Sequence, residues 1–417
     1  MECVEIRGGK PLSGQVEIQG SKNAVLPMLA GCVLHQGISR IEGCPKIQDV
    51  FDMIELLEAL GCRVWWEQRC LAVDATRITG WRLPGQAASR MRSSILFLGA
   101  LLGRVGRAMI PYPGGCVLGE RPVDLHIGAM EALGARLEEG EDCILARAGQ
   151  LKGCEMTLRF PSVGATENVI LAAVLARGVT VIHNAAREPE IEELCLFLRE
   201  KGAVIDTSHP GRIVIRGVER LQESRHVLAA DRIVAGTYLL AAAVTDGCIT
   251  LKGIPTRHME SFLRPLSRMG IRMEETTDGL LADCRGERKN IEFLQTMPYP
   301  GFPTDLQSPM MTLLSVTMGR SRIRENIFES RFKIAGQLEK MGARIRIEGK
   351  DAVIDGVRQL QGAVVGAQEL RGAAALLLAG LNASETTRVW GCHFVNRGYE
   401  NICQNLTGLG ADIQIIR

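Results

Sequence analysis

The sequence predicts an α/β protein with two similar domains, each built from three repeats. Three observations lead to this prediction. The chain has 417 residues, which is more than a single hydrophobic core usually organises. One helical phrase recurs six times, and a second, more apolar phrase precedes each copy. Short segments rich in Val and Ile lie between the phrases and predict strands.

The recurring phrase predicts an amphipathic helix that ends at a glycine and is followed by a strand. Its copies are LEALGCRV, MEALGARL, LREKGAVI, LSRMGIRM, LEKMGARI and LTGLGADI, with glycines at Gly61, Gly134, Gly202, Gly270, Gly342 and Gly410. Glycine can take the left-handed conformation that ends many helices, and the residues after it alternate as in a strand. Each copy therefore marks one repeat of about 70 residues.

The second phrase predicts a helix that is buried on nearly every side. Its copies are KNAVLPMLAGCVL, RSSILFLGALL, ATENVILAAVLARG, AGTYLLAAAVTDG, SPMMTLLSVTMG and RGAAALLLAGL. A helix that is apolar all round belongs in a core. If three such helices close one core, the chain divides near Ala229 and Ala230. We therefore expect one domain over residues 21–229 and a second over residues 1–20 plus 230–417, with a hinge at each crossing.

Composition and charge exclude several classes of function. The formal net charge is +2, which gives no overall attraction for nucleic acid or an anionic membrane. No apolar run approaches the roughly 18 residues of a membrane span, and the first residues lack the pattern of a secretion signal. The 13 cysteines show no CxxC pair or zinc-type spacing. We expect a cytoplasmic protein without metal, whose cysteines are mostly reduced and buried.

Polar and charged residues stand at or near the starts of the predicted buried helices. They are Lys22 and Asn23, Arg92, Thr166 and Glu167, Arg232, Asp305 and Arg371, with Ser308 as a predicted helix cap. A helix start attracts anions, so a cation there is unfavourable unless a phosphate or carboxylate accompanies it. The repetition indicates a polyanionic ligand between the domains. The alternative is a set of solvated surface charges.

The stretch PYPGGCVLGERPVDLH, residues 111–126, contains a candidate reactive cysteine, Cys116. Its glycines and prolines predict a loop that can close over a substrate, and Arg121 is a nearby cation that favours the thiolate. The alternative is a buried and inert thiol, which is common for free cysteine. His126 is more typical of a structural histidine than of a catalytic one. Nucleotide-binding loops of the GxxxxGK[ST] type are absent from the sequence.

Seven stretches together resemble the enolpyruvyl transferase family, and within it the group that acts on UDP-N-acetylglucosamine. They are GSKNAVLP, PGGCVLGERPVDLH, SVGATEN, NAAREPEIE, DRIVAGT, FPTDLQ and RGYE, and they extend over the whole chain. The resemblance implies an inside-out α/β barrel in each of two domains, with six βαβαββ repeats in all and the active site in the cleft between the domains. This architecture agrees with the sixfold repeat.

The resemblance also implies a reaction and its participants. The enolpyruvyl group of phosphoenolpyruvate moves to the 3-hydroxyl of UDP-N-acetylglucosamine, phosphate leaves, and no cofactor or metal takes part. This is the first committed step of peptidoglycan synthesis. The implied partners are these two small molecules alone, with no nucleic acid or membrane, and the enzyme is expected to be a monomer.

Site residues follow from the resemblance by motif. It implies catalytic roles for Cys116, Asp305, Lys22 and Arg397. Cys116 is implied as an acid toward phosphoenolpyruvate or as a gate for product release, and as the residue that fosfomycin alkylates. Asp305 is the implied base for the sugar hydroxyl. Substrate contacts are implied for Lys22, Asn23, Arg92, Arg121, Pro122, Val123, Ser162, Val163, Gly164, Asp305, Ile327, Arg331, Glu369 and Arg371.

Four positions depart from the pattern of this family. Gln48 stands where a second lysine is usual after Lys46, and Glu369 stands where aspartate is usual. Asn396 replaces an aspartate, and Ser330 replaces an asparagine. These departures motivate a second hypothesis, a non-catalytic paralogue that binds UDP-sugar and regulates cell-wall synthesis. A third is the sister enzyme that acts on shikimate 3-phosphate.

Overall fold

The computed structural model describes residues 3–114 and 123–416, and in it the chain forms two compact units. Residues 3–19 and 230–416 form the first, which we call the Asp305 unit. Residues 20–114 and 123–229 form the second, which we call the Lys22 unit. Each unit has its own hydrophobic core.

The strands are short, as the spacing of the two phrases predicts. In chain order they are β1 Cys3–Arg7, β2 Ser13–Glu17, β3 Ile38–Glu42, β4 Arg63–Glu67, β5 Cys70–Asp74, β6 Arg107–Pro111, β7 Arg136–Glu139, β8 Cys143–Arg147, β9 Glu155–Thr157, β10 Val179–His183, β11 Val204–His209, β12 Arg212–Arg216, β13 Ser224–Val227, β14 Cys248–Lys252, β15 Arg272–Thr276, β16 Gly279–Asp283, β17 Phe293–Gln295, β18 Gly319–Arg324, β19 Arg344–Glu348, β20 Asp351–Gly356, β21 Val364–Gly366, β22 Thr386–Trp390 and β23 Asp412–Ile416.

Apart from the short helix α3, buried and amphipathic helices alternate along the chain. They are α1 Lys22–Cys32, α2 Gln48–Ala59, α3 Gly85–Ala88, α4 Phe97–Val105, α5 Asp124–Ala132, α6 Val163–Ala173, α7 Pro189–Glu200, α8 Arg232–Val244, α9 Glu260–Arg268, α10 Gln307–Ser315, α11 Ala335–Lys340, α12 Leu370–Asn382 and α13 Ile402–Gly408. Short 3₁₀ helices cover Arg92–Leu96, Thr256–His258, Thr304–Leu306, Arg331–Ile334 and Cys392–Arg397. No helix of the described residues is long and apolar enough to cross a membrane.

The predicted buried helices form the centre of each unit. In the Asp305 unit α8, α10 and α12 pack on one another, and in the Lys22 unit α4 packs on both α1 and α6. Every residue of α12 from Leu370 to Leu381 is buried. The amphipathic helices α2, α5, α7, α9, α11 and α13 each end two residues before one of the six predicted glycines. All six glycines have φ between +85° and +99°, so the predicted left-handed helix ends are confirmed.

Each unit holds three sheets within the described residues. In the Asp305 unit their strand orders are β21-β22-β1-β23, β15-β16-β14-β2 and β17-β18-β20-β19. In the Lys22 unit they are β13-β3-β5-β4, β11-β12-β10-β9 and β6-β8-β7. Each four-stranded sheet combines one parallel pair with antiparallel pairs. The predicted α/β fold of βαβαββ repeats is confirmed, most plainly in β9-α6-β10-α7-β11-β12 and β17-α10-β18-α11-β19-β20.

The two amino-terminal strands complete two sheets whose other strands come from residues 248–416. β1 lies between β22 and β23, with Val4 opposite both Val389 and Ile415. β2 pairs in parallel with β14. These pairings place residues 3–19 in the Asp305 unit.

Two details of the helix starts differ from the sequence prediction. Ser308 is not a cap, because a 3₁₀ turn over Thr304–Leu306 runs directly into α10 and the Ser308 hydroxyl bonds Gln307 Oε1. Thr166 and Glu167 lie inside α6, which begins at Val163 behind the cap residue Ser162. In both cases the helix extends further toward the amino terminus than the apolar run indicates.

Candidate functional site

Asp305 lies at the centre of an ion-pair cluster in the Asp305 unit. The 3₁₀ turn before α10 presents its carboxylate, whose side chain is 26% exposed. Arg331 Nη2 donates to Asp305 Oδ1 at 2.9 Å, and Arg371 donates to Oδ2 from Nη2 at 2.8 Å and from Nε at 3.2 Å. Both arginine side chains are almost fully buried, at 2% and 3% exposed. Three charge-assisted hydrogen bonds therefore orient the carboxylate.

Tyr399 holds the far side of Arg371. Arg371 Nη1 donates to the Tyr399 hydroxyl at 3.1 Å, and that hydroxyl also bonds Thr237 Oγ1 at 2.9 Å. Burial alone would lower the pKa of Arg371, but the charge and hydrogen bond of Asp305, with the neighbouring Tyr399 and Asp231, together outweigh it, so the pKa of Arg371 is raised. Burial likewise raises the pKa of the Tyr399 phenol. Arg371 therefore stays charged and fixed while it contacts Asp305.

Carboxylates cap two of the inner helices in this unit. Glu369 accepts from the backbone N–H groups of Arg371, at 2.8 Å, and Gly372 at the start of α12. Asp231 accepts from those of Ile233 and Val234 at 2.8 and 2.9 Å at the start of α8. The longer glutamate thus performs the cap function that aspartate usually performs. The departure at position 369 leaves the helix start satisfied.

The other predicted residues of this unit lie on neighbouring loops. Ile327 lies two residues after the buried Glu325. The backbone N–H of Ile327 donates to the Glu325 carboxylate at 2.8 Å. Arg397 is the half-buried last residue of the 3₁₀ helix Cys392–Arg397. Ser330 is the residue before the 3₁₀ helix that carries Arg331, and Asn396 is exposed. The structure thus brings Asp305, Arg331, Arg371 and Glu369 into one hydrogen-bonded cluster.

Lys22 and Asn23 begin helix α1 in the Lys22 unit. Lys22 Nζ lies 3.1 Å from Asp49 Oδ2, and the Asp49 side chain is only 2% exposed. The Ser21 hydroxyl caps α1 by accepting from the N–H of Ala24 at 3.4 Å. This helix start therefore carries a cation, Lys22, and a cap without charge, Ser21. The helix dipole also favours an anion here.

Gln48, the first departure, belongs to a separate polar group. It donates from Nε2 to Asp52 Oδ1 at 3.0 Å, and Arg90 Nη1 donates to the same oxygen at 3.0 Å. Arg90 therefore supplies a cation next to the position where a lysine is usual.

The start of α6 carries three predicted substrate contacts, Ser162, Val163 and Gly164. Ser162 caps the helix, accepting from the N–H of Ala165 at 3.3 Å. His126 in α5 is buried and bonds Asn168 Nδ2 through Nδ1 at 2.9 Å, as expected of a structural histidine. Asn168 also bonds the carbonyl of Ile95 and the N–H of Gly99. This buried amide ties three helical segments together behind the predicted contacts.

Arg92 and Val123 line a cleft of about 570 Å³ in the Lys22 unit. The remaining lining residues are Tyr112, Pro113, Asp124, Ile127, Gly128, Glu131 and Glu139. Nearby in the sequence, Cys116, Arg121 and Pro122 lie outside the described residues, so the predicted cysteine loop receives no structural account. The twelve described cysteines are free, none of them is exposed, and seven are buried.

Burial makes several of these other thiols poor nucleophiles. It raises the pKa of Cys62, Cys195 and Cys284 to about 12 in each case.

Among residues 3–114 and 123–416, no group of three or more His, Cys, Asp or Glu side chains is placed to hold a metal ion. Burial and the neighbouring Glu190 and Glu188 raise the pKa of Glu167 well above its usual range.

Sequence reasoning missed three residues that support these clusters: Asp49, Glu325 and Tyr399. Each is buried and each bonds a predicted residue or its turn. Glu325 directly follows the strand GRSRIR, whose arginines are typical of a surface strand. The local sequence therefore does not indicate that Glu325 is buried. Tyr399 could have been found from its position in RGYE, two residues after the predicted site residue Arg397.

Comparisons with known proteins agree on one family. The family model described as EPSP synthase (3-phosphoshikimate 1-carboxyvinyltransferase) matches residues 6–406. The chain is 45% identical over 409 residues to UDP-N-acetylglucosamine 1-carboxyvinyltransferase 2 of Caldanaerobacter subterraneus subsp. tengcongensis, covering 98% of each chain. It is 43% identical over 416 residues to UDP-N-acetylglucosamine 1-carboxyvinyltransferase 1 of Halalkalibacterium halodurans, covering 99% of this chain and 94% of the other.

Solved structures share the fold. The enolpyruvyl transferase NikO from Streptomyces tendae superposes with a TM-score of 0.91 at 26% identity, covering 99% of this chain and 98% of the other. An EPSP synthase from Acinetobacter baumannii superposes with a TM-score of 0.76 at 16% identity over the full length of both chains. The second likeness shows the fold alone.

Proposed function

This chain belongs to the enolpyruvyl transferase family of UDP-N-acetylglucosamine 1-carboxyvinyltransferases, and from that membership we propose that it transfers the enolpyruvyl group of phosphoenolpyruvate to the 3-hydroxyl of UDP-N-acetylglucosamine. Inorganic phosphate is the second product. The reaction is the first committed step of peptidoglycan synthesis. The observation that carries the proposal is the Asp305 carboxylate held by Arg331 and Arg371.

Asp305 is the base in this proposal. It accepts the proton of the sugar 3-hydroxyl as the oxygen attacks C2 of phosphoenolpyruvate, and C3 gains a proton from an acid. The resulting tetrahedral adduct loses a proton from C3 and its C2–O bond to phosphate, which restores the double bond and releases phosphate. A positioned base of this kind contributes about 10²- to 10⁴-fold to a rate. The two arginines fix where its oxygens point.

Lys22, Arg121 and Arg397 hold the phosphate and carboxylate of phosphoenolpyruvate in this proposal, with Arg92 nearby. The cation and capped helix start at Lys22 suit a phosphate group. Arg331 and Arg371 act on the substrates through Asp305, since that carboxylate occupies their guanidinium groups. Asn23, Pro122, Val123, Ser162, Val163, Gly164, Ile327 and Glu369 are the further proposed substrate contacts.

We propose that the two units are the two functional domains and that both substrates bind in the cleft between them. UDP-sugar binding then closes the domains about hinges near Gly20 and Ala229. Small-angle scattering should show smaller dimensions with UDP-N-acetylglucosamine than without it. Identical dimensions would contradict the closure. A monomer in the cytoplasm completes this proposal, and sedimentation should give a single species of 45.5 kDa.

Cys116 is the proposed acid toward C3 and the site of fosfomycin alkylation. A Cys116→Asp variant keeps an acid and loses the thiol. We expect residual turnover together with fosfomycin resistance, measured as activity after incubation with the epoxide. Covalent inactivation of the variant at this loop would contradict the assignment.

Phosphate release from phosphoenolpyruvate tests the function itself. We expect turnover with UDP-N-acetylglucosamine as acceptor and none with shikimate 3-phosphate. Turnover with shikimate 3-phosphate alone would point to the sister enzyme. Tight binding of UDP-N-acetylglucosamine without turnover would mean a non-catalytic paralogue. The structural roles of Gln48 and Glu369 described above give that second hypothesis no support.

A further inference from the structure

A single buried carboxylate, Glu325, anchors both segments that carry the Asp305–Arg331 ion pair. Glu325 follows strand β18 directly and is 3% exposed. Its Oε1 accepts from Thr296 Oγ1 at 2.8 Å and from the N–H groups of Ile327 and Phe328 at 2.8 and 3.1 Å. Its Oε2 accepts from Thr304 Oγ1 at 3.0 Å. All four partners are donors, which suits an ionised carboxylate that only accepts.

Three of the four donors belong to the two segments that bracket the ion pair, and the fourth, Thr296, follows strand β17. Thr304 is the first residue of the 3₁₀ turn Thr304–Leu306, which holds Asp305. Ile327 and Phe328 begin the loop that leads to the 3₁₀ helix Arg331–Ile334. Glu325 thus fixes the starting points of the aspartate turn and of the arginine loop relative to each other.

The sheet in turn fixes Glu325. The N–H of Thr296 donates to the carbonyl of Arg324 at 2.9 Å, and Asn326 Nδ2 donates to the carbonyl of Thr296 at 2.9 Å. The N–H of Asn326 also donates to Thr296 Oγ1 at 3.0 Å. Hydrogen bonds to a buried charge are stronger than those between neutral groups, so this anchor is stiff.

We propose that Glu325, acting through the Thr304 hydroxyl, is a positioning residue for Asp305. This inference rests on the proposed function, in which Asp305 accepts the proton of the sugar hydroxyl. Without the Thr304–Glu325 bond the turn shifts and the base moves away from that hydroxyl. A misplacement on the order of 1 Å at a reacting group can cost roughly 100-fold in rate.

The decisive variant is Thr304→Val, which removes one hydroxyl and keeps the shape of the side chain. We expect kcat for phosphate release to fall about tenfold, with KM for each substrate changed less than about threefold. The matched control is Thr312→Val. Thr312 is a buried threonine of the same unit whose hydroxyl donates to the carbonyl of Ala375 at 3.2 Å, away from Glu325. The control should keep the kcat of the unchanged chain, although it also loses one hydrogen bond.

A double-mutant cycle shows whether the bond itself is responsible. Glu325→Gln removes the charge, but the Thr304 hydroxyl can turn and accept from the new amide N–H, so kcat should fall by a smaller factor than in Thr304→Val. The double variant Glu325→Gln with Thr304→Val should fall no further than the stronger single variant. Additive losses, or a Thr304→Val enzyme with unchanged kcat, would overturn the inference.

The kinetic pattern separates this inference from the proposed function. If the unchanged chain releases no phosphate, the proposed function fails. If the chain turns over and Thr304→Val raises only KM, then Thr304 contacts substrate directly and the positioning role is wrong. If Thr312→Val loses as much kcat as Thr304→Val, the effect is general to buried threonines and the positioning role is again wrong.

Discussion

The inner helices of the two units begin with different chemistry. In the Asp305 unit carboxylates stand at each start: Asp231 caps α8, Asp305 lies in the turn before α10, and Glu369 caps α12. In the Lys22 unit serines cap α1 and α6, and the cations Lys22 and Arg92 stand at the starts of α1 and of the 3₁₀ helix before α4. Cations stand near helix starts in both units, but the caps are carboxylates in the Asp305 unit and neutral serines in the Lys22 unit.

Because of this difference, a cation at a helix start has a different role in each unit. Arg371 at the start of α12 has a partner from its own chain, Asp305, so its position needs no ligand to explain it. Lys22 at the start of α1 also has a partner from its own chain, Asp49, but the cap there is a neutral serine, so the helix dipole still favours an anion. We infer that the Asp305 cluster is preorganised for proton transfer and that the Lys22 cluster is built for anion binding.

The largest expected effect comes from breaking the ion pair in the Asp305 unit. Arg371→Met removes two of the three hydrogen bonds to Asp305 and leaves a carboxylate short of a buried partner. We expect kcat to fall about 10³-fold and the free energy of unfolding to fall by about 3 kcal/mol, since loss of one partner of a buried pair is strongly destabilising. Steady-state kinetics and denaturant unfolding measure the two losses. A loss of activity with unchanged stability would contradict preorganisation.

A smaller effect is expected from removing the cation of the Lys22 unit. Lys22→Gln keeps a hydrogen-bond donor for Asp49 but removes the charge, so phosphoenolpyruvate binding should suffer most. We expect kcat/KM for phosphoenolpyruvate to fall about 100-fold while the free energy of unfolding falls by about 1 kcal/mol. If KM for phosphoenolpyruvate were unchanged, the inference that the Lys22 cluster binds an anion would be wrong.

The sequence was informative where local rules decide the structure, and less so where distant residues meet. The six glycines and the buried helices follow from local periodicity, so their prediction succeeded. Glu325 and Asp49 were missed because their burial depends on contacts with segments 21 to 29 residues away, such as Lys22 and Thr296. The Ser308 cap was wrong because a 3₁₀ turn extended the helix beyond the apolar run.

The Lys22 unit should also respond to pH through His226. This buried residue of β13 bonds Glu193 through Nε2 at 3.1 Å and Glu200 through Nδ1 at 3.0 Å, and both glutamates lie in α7. Burial alone would lower the pKa of His226, but the two carboxylates outweigh it and the pKa is raised above 6.5. The resulting stability is complete below pH 6.5 and is lost as pH rises through the folded-state pKa.

A His226→Gln variant tests this dependence. The unchanged chain should lose unfolding free energy between pH 6 and pH 8 that the variant does not lose. Urea unfolding at both pH values measures the difference. A parallel pH dependence of the two proteins would show that His226 does not contribute.

The smallest expected effect is that of restoring the usual residue at position 369. In Glu369→Asp the shorter carboxylate still caps α12, because aspartate is a preferred cap residue. We expect kcat to change less than about threefold and the melting temperature to stay equal or rise. A gain of more than tenfold in kcat would show that the departure had impaired the enzyme.

The kcat of an Asp305→Asn variant tests the central claim most directly. Asparagine keeps the size of the side chain and cannot accept the proton of the sugar hydroxyl as a carboxylate does. We predict a fall of about 10³-fold in kcat for phosphate release, with UDP-N-acetylglucosamine still bound within about tenfold of its original affinity. A variant that keeps kcat within about threefold would contradict the assignment of Asp305 as the base.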